Sequence, residues 1–166
     1  MSFRFQVDNS DQIGCYMTLT NTYCLVTDGA DTQWLSAQLS QHDLPVISCQ
    51  VDNGNSMVGT MTCGNSKGLL IPHTTNDYEL ERIRRRLPKD VKIEKINDVF
   101  SALGNCIACN DSVALIHPEM SEESENIIAK TLQVTVIRKT IAGNPLVGTY
   151  CQLTNNAMLI HPNSGL

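Results

Sequence analysis

The sequence predicts an α/β protein assembled from repeated β-β-α-β units, and three observations predict it. Gly14, Gly59, Gly104 and Gly148 recur at spacings of 45, 45 and 44 residues, each opening a β-prone run. Six or seven residues after each glycine stands an asparagine, Asn21, Asn65, Asn110 or Asn155, suited to a tight hairpin turn by its tolerance of positive φ. Behind each of the first three hairpins comes a helix-start signal and then another β-prone run.

In the first unit IGCYMTLTNTYCLV (13–26) reads as a hairpin entered at its glycine. Asp31 then caps a short helix carrying Leu35 and Leu39, and Val46–Val51 returns as a third strand. In the second, VGTMTCGNSKGLLIP (58–72) is the hairpin. Asn76 and Glu79 form a capping box ahead of Leu80, Ile83 and Leu87, and Val91–Ile96 follows as a strand. The third hairpin is LGNCIACNDSVALIHP (103–118). Ser121 precedes Glu122 and Glu123, acids suited to a first helical turn, with Ile127, Ile128 and Leu132 behind them and Val134–Lys139 as the strand. The fourth, VGTYCQLTNNAMLIHP (147–162), has no helix after it. Phe3–Val7 precedes Gly14 as Val46–Val51 precedes Gly59, so it reads as the last strand of another unit. The expectation is one incomplete repeat domain over 1–166, with units 13–57, 58–102, 103–146 and 147–166. Residues 1–12 would be the closing strand of a missing last unit, and the period gives about 3.7 units in all.

Composition narrows the function. With 42% apolar and 17% charged residues the chain is not disordered. A net charge of −5 disfavours a general nucleic-acid binder. No stretch approaches the roughly 18 apolar residues of a membrane span, and Arg4, Asp8 and Asp11 stand where a signal peptide needs an apolar run. The odd count of seven cysteines reads as reduced thiols of a cytosolic or nuclear protein, used as small apolar side chains. Cys106 and Cys109 form a lone CxxC without a second pair at zinc spacing, which favours two strand positions over a metal or redox role. Gly64–Gly68 lacks full P-loop spacing and reads as a hairpin turn.

Two surfaces are candidates for function. The glycine segments would present one face: Ile13 and Gly14; Val58, Gly59 and Thr60; Leu103, Gly104 and Asn105; Val147, Gly148 and Thr149. Glycine there permits close backbone approach, by a neighbouring unit or by a partner. Asn105 stands out because the other units carry Cys15, Thr60 and Thr149 at its place. Separately, Arg82, Arg84, Arg85, Arg86, Lys89, Lys92 and Lys95 supply seven of the twelve positive charges within fourteen residues. They read either as a patch approaching RNA or an acidic partner, or as a solvated helix face with Glu81 and Arg85 paired at i,i+4.

The stretches IGCYMTLTNTYCLV, GNSKGLLIP (64–72), SALGN (101–105), CNDSVALIHPE (109–119) and LVGTYC (146–151) carry a resemblance that covers the whole chain. The sequence resembles the eukaryotic translation initiation factor 6 family of ribosome anti-association factors. That resemblance implies a pentein-type β/α propeller of pseudo-fivefold symmetry, of which a complete member would extend past Leu166. It implies a non-enzyme without cofactors that binds the joining face of the 60S subunit, mainly through a large-subunit ribosomal protein, with a minor ribosomal RNA contact. Blocking the 40S subunit, a role in 60S biogenesis and export, and residence in cytoplasm, nucleus and nucleolus follow from the same likeness, as does a monomeric full-length protein. The same fold also houses guanidine-modifying enzymes with a nucleophilic cysteine, a histidine and an acid. Against that alternative, His117 and His161 occupy equivalent places before prolines, as strand terminators would, His73 follows Pro72 instead, and His42 lies in a loop-like stretch. A self-associating repeat protein, joined through an open strand edge, is the third alternative.

Overall fold

The computed structural model describes residues 4–7 and 9–164. In chain order it contains α1 (Ile13–Tyr16), β1 (Met17–Leu19), β2 (Cys24–Thr27), α2 (Thr32–Leu39) and β3 (Val46–Cys49). There follow α3 (Val58–Met61), β4 (Cys63–Gly64), β5 (Gly68–Pro72), α4 (Asp77–Arg84) and β6 (Lys92–Ile96). Next come α5 (Leu103–Cys106), β7 (Ile107–Cys109), β8 (Val113–Ile116), α6 (Glu122–Leu132) and β9 (Thr135–Arg138), then α7 (Val147–Tyr150), β10 (Cys151–Leu153) and β11 (Met158–Ile160). The described residues form a mixed α/β architecture with small sheets and no closed barrel. Three sheets share the order β1-β2-β3, β4-β5-β6 and β7-β8-β9, and β10 pairs with β11. In each three-stranded sheet the hairpin is antiparallel and the third strand joins parallel to the second, as in Leu25 opposite Ile47 and Leu69 opposite Ile93.

Helix starts follow the local chemistry. The Asp31 carboxylate accepts from the Trp34 amide at 2.9 Å, and the Ser121 hydroxyl accepts from the Ser124 amide at 3.1 Å. Asn76 and Glu79 make both bonds of a capping box, at 2.9 and 3.0 Å. Glu79 also accepts from the Asn53 and Gly54 amides, so the same carboxylate ties α4 to the loop after β3.

The apolar runs of the strands are unbroken because both faces of each middle strand are covered. Cys24 and Val26 of β2 face Leu35 and Leu39 of α2. Tyr23 and Leu25 face the other way, against Ile47, Leu69, Ile71 and Ile83. Strand β5 repeats the arrangement: Leu69 and Ile71 join that cluster, whereas Leu70 joins Ile116, Ile128 and Leu132. The core therefore lies between consecutive sheets, and α4 and α6 each fill such a gap. Full burial of one of these leucines or isoleucines contributes about 1.5–3 kcal/mol.

Three expectations change. The glycine segments do not enter strands; each winds one helical turn before its strand begins. Val46–Val51 forms a strand only to Cys49, since Val51 turns back to bridge Asn55. Phe3 lies outside the described residues, and Arg4–Gln6 are in no strand; Val7 makes an isolated bridge with Ser10. Strands β3, β6 and β9 each form on a parallel neighbour, and no described strand pairs with residues 4–7.

The helical turns exist because consecutive backbones touch. A methyl group at Gly59 would overlap the Gly14 carbonyl oxygen, one at Gly104 the Gly59 carbonyl, and one at Gly148 the Gly104 carbonyl. At Gly14 the same methyl would meet nothing within 4 Å. Glycine is thus required sterically at three of the four positions, with close approach and not φ as the reason. Gly104→Ala is expected to lower unfolding free energy by about 3 kcal/mol, the upper range for forced overpacking, whereas Gly14→Ala changes it by less than about 1 kcal/mol. Urea denaturation of the two variants checks the contrast.

Candidate functional site

The hairpin turns form one end of the structure. The residue six after each glycine caps its own turn: Thr20 accepts from the Thr22 and Tyr23 amides, Asn65 from Lys67 and Gly68, Asn110 from Ser112 and Val113, and Thr154 from Asn156 and Ala157. None of Asn21, Asn65, Asn110 and Asn155 has positive φ, so they do not serve the turn in the way their residue type suggested. Asn65 and Asn110 act instead through their side-chain oxygens. Asn65 also donates to the carbonyls of Asn110 and Leu132, and Asn110 to Thr154, lacing each turn to the next.

The residues one further on, Asn21, Ser66, Asp111 and Asn155, converge on one carboxylate. Asp111 accepts from the Ser66 amide at 2.8 Å and hydroxyl at 2.6 Å on one oxygen. On the other it accepts from the Asn21 amide group at 3.0 Å and that of Asn155 at 2.6 Å. Its own backbone N–H donates to Asn155. Burial pushes the Asp111 carboxyl upward, but the hydrogen bonds from Asn155, Ser66 and Asn21 outweigh it and bring it down to about 2. Sequence reasoning missed this hub. Its trace was the uneven spacing: Asn65 and Asn110 lie six residues after their glycines, Asn21 and Asn155 seven.

At the opposite ends of β1, β4, β7 and β10 lie the glycine turns. Gly14, Gly59, Thr60, Gly104, Asn105, Gly148 and Thr149 line one cavity of about 1070 Å³, which runs along these four strands to Asn21, Ser66, Asp111 and Asn155 at the hairpin turns. Ile13 is half-buried, and Val58, Leu103 and Val147 are fully buried, so these four anchor the turns, while Cys15, Thr60 and Asn105 are half-buried and Thr149 is exposed. Asn105 makes no side-chain hydrogen bond among the described residues. Met57 and Leu146, each just before a turn, remain 40% and 36% exposed.

With the geometry in place, the comparisons are specific. The family model described as the eIF-6 family matches residues 2–165. The chain belongs to the eIF-6 family. It is 47% identical to eukaryotic translation initiation factor 6 of Dictyostelium discoideum, over 100% of this chain and 68% of the relative. Identity is 50% to the Tetrahymena thermophila protein of that name, over 98% of this chain and 66% of the relative, and 44% to that of Saccharomyces cerevisiae. The chain thus spans about two thirds of the length of the curated eIF-6 relatives it matches.

The thiols and cations of this eIF-6 chain are distributed as follows. Burial pushes the Cys24 and Cys49 thiols up to about 12 and Cys106 up to about 11. Cys109 is raised by its contact with Cys63 of the preceding sheet, 3.5 Å away, and by burial. The CxxC residues are therefore not partners of each other: Cys106 sits in α5, and Cys109 faces Cys63. Among the described residues no three His, Cys, Asp or Glu side chains gather closely enough to hold a metal ion. The basic segment is partly consumed. Arg82 grips Asp28 with two bonds of 2.7 Å, Arg84 pairs with Glu81 at i,i+3, displacing the Glu81–Arg85 pair, and Lys95 reaches Asp77.

Asp111 has a folded-state pKa below its unfolded value, so its stabilisation is present above about pH 4 and is lost as pH falls from there toward 2. Asp111→Ala is expected to cost about 2 kcal/mol at pH 7. Guanidinium titrations at stepped pH should show the gap between wild type and variant narrowing across that window.

Proposed function

We propose that this chain acts as a translation initiation factor by docking its glycine-bearing end on the joining face of the 60S ribosomal subunit. Contact there would be made mainly with a large-subunit ribosomal protein, and the bound factor would sterically prevent the 40S subunit from joining. The same binding would accompany 60S particles through biogenesis and export, placing the protein in nucleus, nucleolus and cytoplasm. In the complete protein the sheets would continue into a pentein-type ring of five β-β-α-β units, of which 13–57, 58–102, 103–146 and 147–166 are the portion in hand. Closed in this way, the protein would be a monomer.

The observation that carries the reading is the division of labour in the glycine turns. Val58, Leu103 and Val147 are buried and the glycines are locked against one another, so Cys15, Thr60, Asn105 and Thr149 sit on a rigid frame. Met57 and Leu146 add exposed apolar tips of the kind that interface centres bury. Family membership and the relatives' shared name support a binding role in translation initiation. A chain of net charge −5 suits a basic protein partner. A guanidine-modifying enzyme would need a thiolate poised beside a base. Cys24, Cys49, Cys106, Cys109 and Cys151 are all shifted the opposite way.

Gly14→Arg and Asn105→Asp test the docking end, because Gly14 has open space for a side chain. Each is expected to weaken 60S co-sedimentation at least tenfold through a faster k_off, with thermal melting unchanged. Normal co-sedimentation of both variants would remove this face from the mechanism.

A further inference from the structure

Four cations at the other end of the second sheet make no ion pair among the described residues. Arg82, Arg84 and Lys95 are engaged by Asp28, Glu81 and Asp77, whereas Arg85, Arg86, Lys89 and Lys92 are exposed and make no ion pair among the described residues. They lie at the C-cap of α4 (Arg85), in the loop after it and at the first residue of β6. Their position follows from the strand directions. Strand β5 starts at Gly68, beside the hairpin turn, and runs antiparallel to β4, away from that turn. Strand β6 is parallel to β5 and begins at the same end, where the Lys92 amide donates to the Lys67 carbonyl. The four cations therefore stand at the hairpin-turn end, across the sheet from Val58–Met61.

Charge is concentrated there. Residues 82–95 carry seven cations against Asp90 and Glu94, and with the paired carboxylates Asp28, Asp77 and Glu81 included the group is still +2, while the whole chain is −5 and the remainder therefore −7. A polyanion is repelled elsewhere and attracted here. The surroundings say which polyanion. Among the described residues the exposed large apolar side chains are Leu19, Met57, Tyr78, Val99, Ile137, Leu146, Met158 and Leu159, none of them within residues 85–92. A protein partner would be expected to bury an apolar centre. Binding to a nucleic-acid backbone needs only charge and forked donors, and Arg85 and Arg86 each offer a guanidinium suited to two phosphate oxygens. The geometry points to an RNA-backbone docking surface formed by Arg85, Arg86, Lys89 and Lys92, on the end opposite the glycine turns and independent of them. It reads phosphates and not bases, so it carries no sequence preference.

The test uses this chain without ribosomes and a fluorescein-labelled 20-bp RNA duplex as probe, followed by anisotropy from low to moderate KCl. Wild type should bind with a salt slope that falls by about 3 in the variant R85Q/R86Q/K89Q/K92Q, at roughly 0.7–0.9 per neutralised phosphate. Affinity at low salt should fall more than tenfold. Lys89→Gln alone should lower the slope by about one, and this keeps the test decisive should the fourfold variant fold poorly. Unchanged slope and affinity in both variants would overturn the proposal. So would a polyglutamate peptide competing as strongly as the duplex at equal charge, which would make the surface a site for acidic protein.

Discussion

The contact on which the rest of the structure depends is backbone on backbone. Gly59, Gly104 and Gly148 each present a bare Cα to the carbonyl oxygen of the preceding glycine. No side chain, not even a methyl, fits between them. That approach sets the distance between successive sheets, which in turn sets the space that α4 and α6 fill with Ile83, Ile128 and Leu132. A uniform spacing of close to 45 residues follows, because each unit must reproduce the same glycine, hairpin and filling helix. Stability is consequently a property of neighbours. The strand β2 buries one face on its own helix and the other on the next sheet, so the first sheet has a small core of its own and shares a larger one with its neighbour.

At the far end of the same strands the constraint is polar. Four turns meet around Asp111, and hydrogen bonds from Asn21, Ser66 and Asn155 bridge sequence separations of up to 90 residues. The two ends complement each other. Glycine packing brings the sheets close at one end, and the shared carboxylate ties their turns together at the other. Between them the inner strands enclose a cavity lined by the residues proposed to face a ribosomal partner.

Much of the fold was legible in the sequence because its signals are local. Asp31, Asn76, Glu79 and Ser121 cap helices by reaching amides three residues away, and the alternating burial of Val46–Cys49 and Val113–Ile116 comes from strand pleating. The candidate site was less legible. Ile13, Val58 and Val147 are β-prone, yet each begins a helical turn; at Val58 and Val147 the close packing of the adjacent glycine accompanies this departure from propensity. The Asp111 hub draws on residues from all four sheets, and no window of sequence contains it. Its one imprint was a single-residue unevenness in asparagine spacing. The division of the cations into three engaged and four in no described ion pair also needed the structure, because Asp28 lies 54 residues from Arg82.

Docking through the glycine turns is the central functional claim, and hydroxyl-radical footprinting of the chain bound to 60S subunits tests it most directly. Met57 and Leu146 are exposed beside the turns, so hydroxyl radicals reach both in the free chain, the Met57 thioether reacting most readily. The account predicts that both become protected on the subunit. Full oxidation of both in the bound state would contradict it.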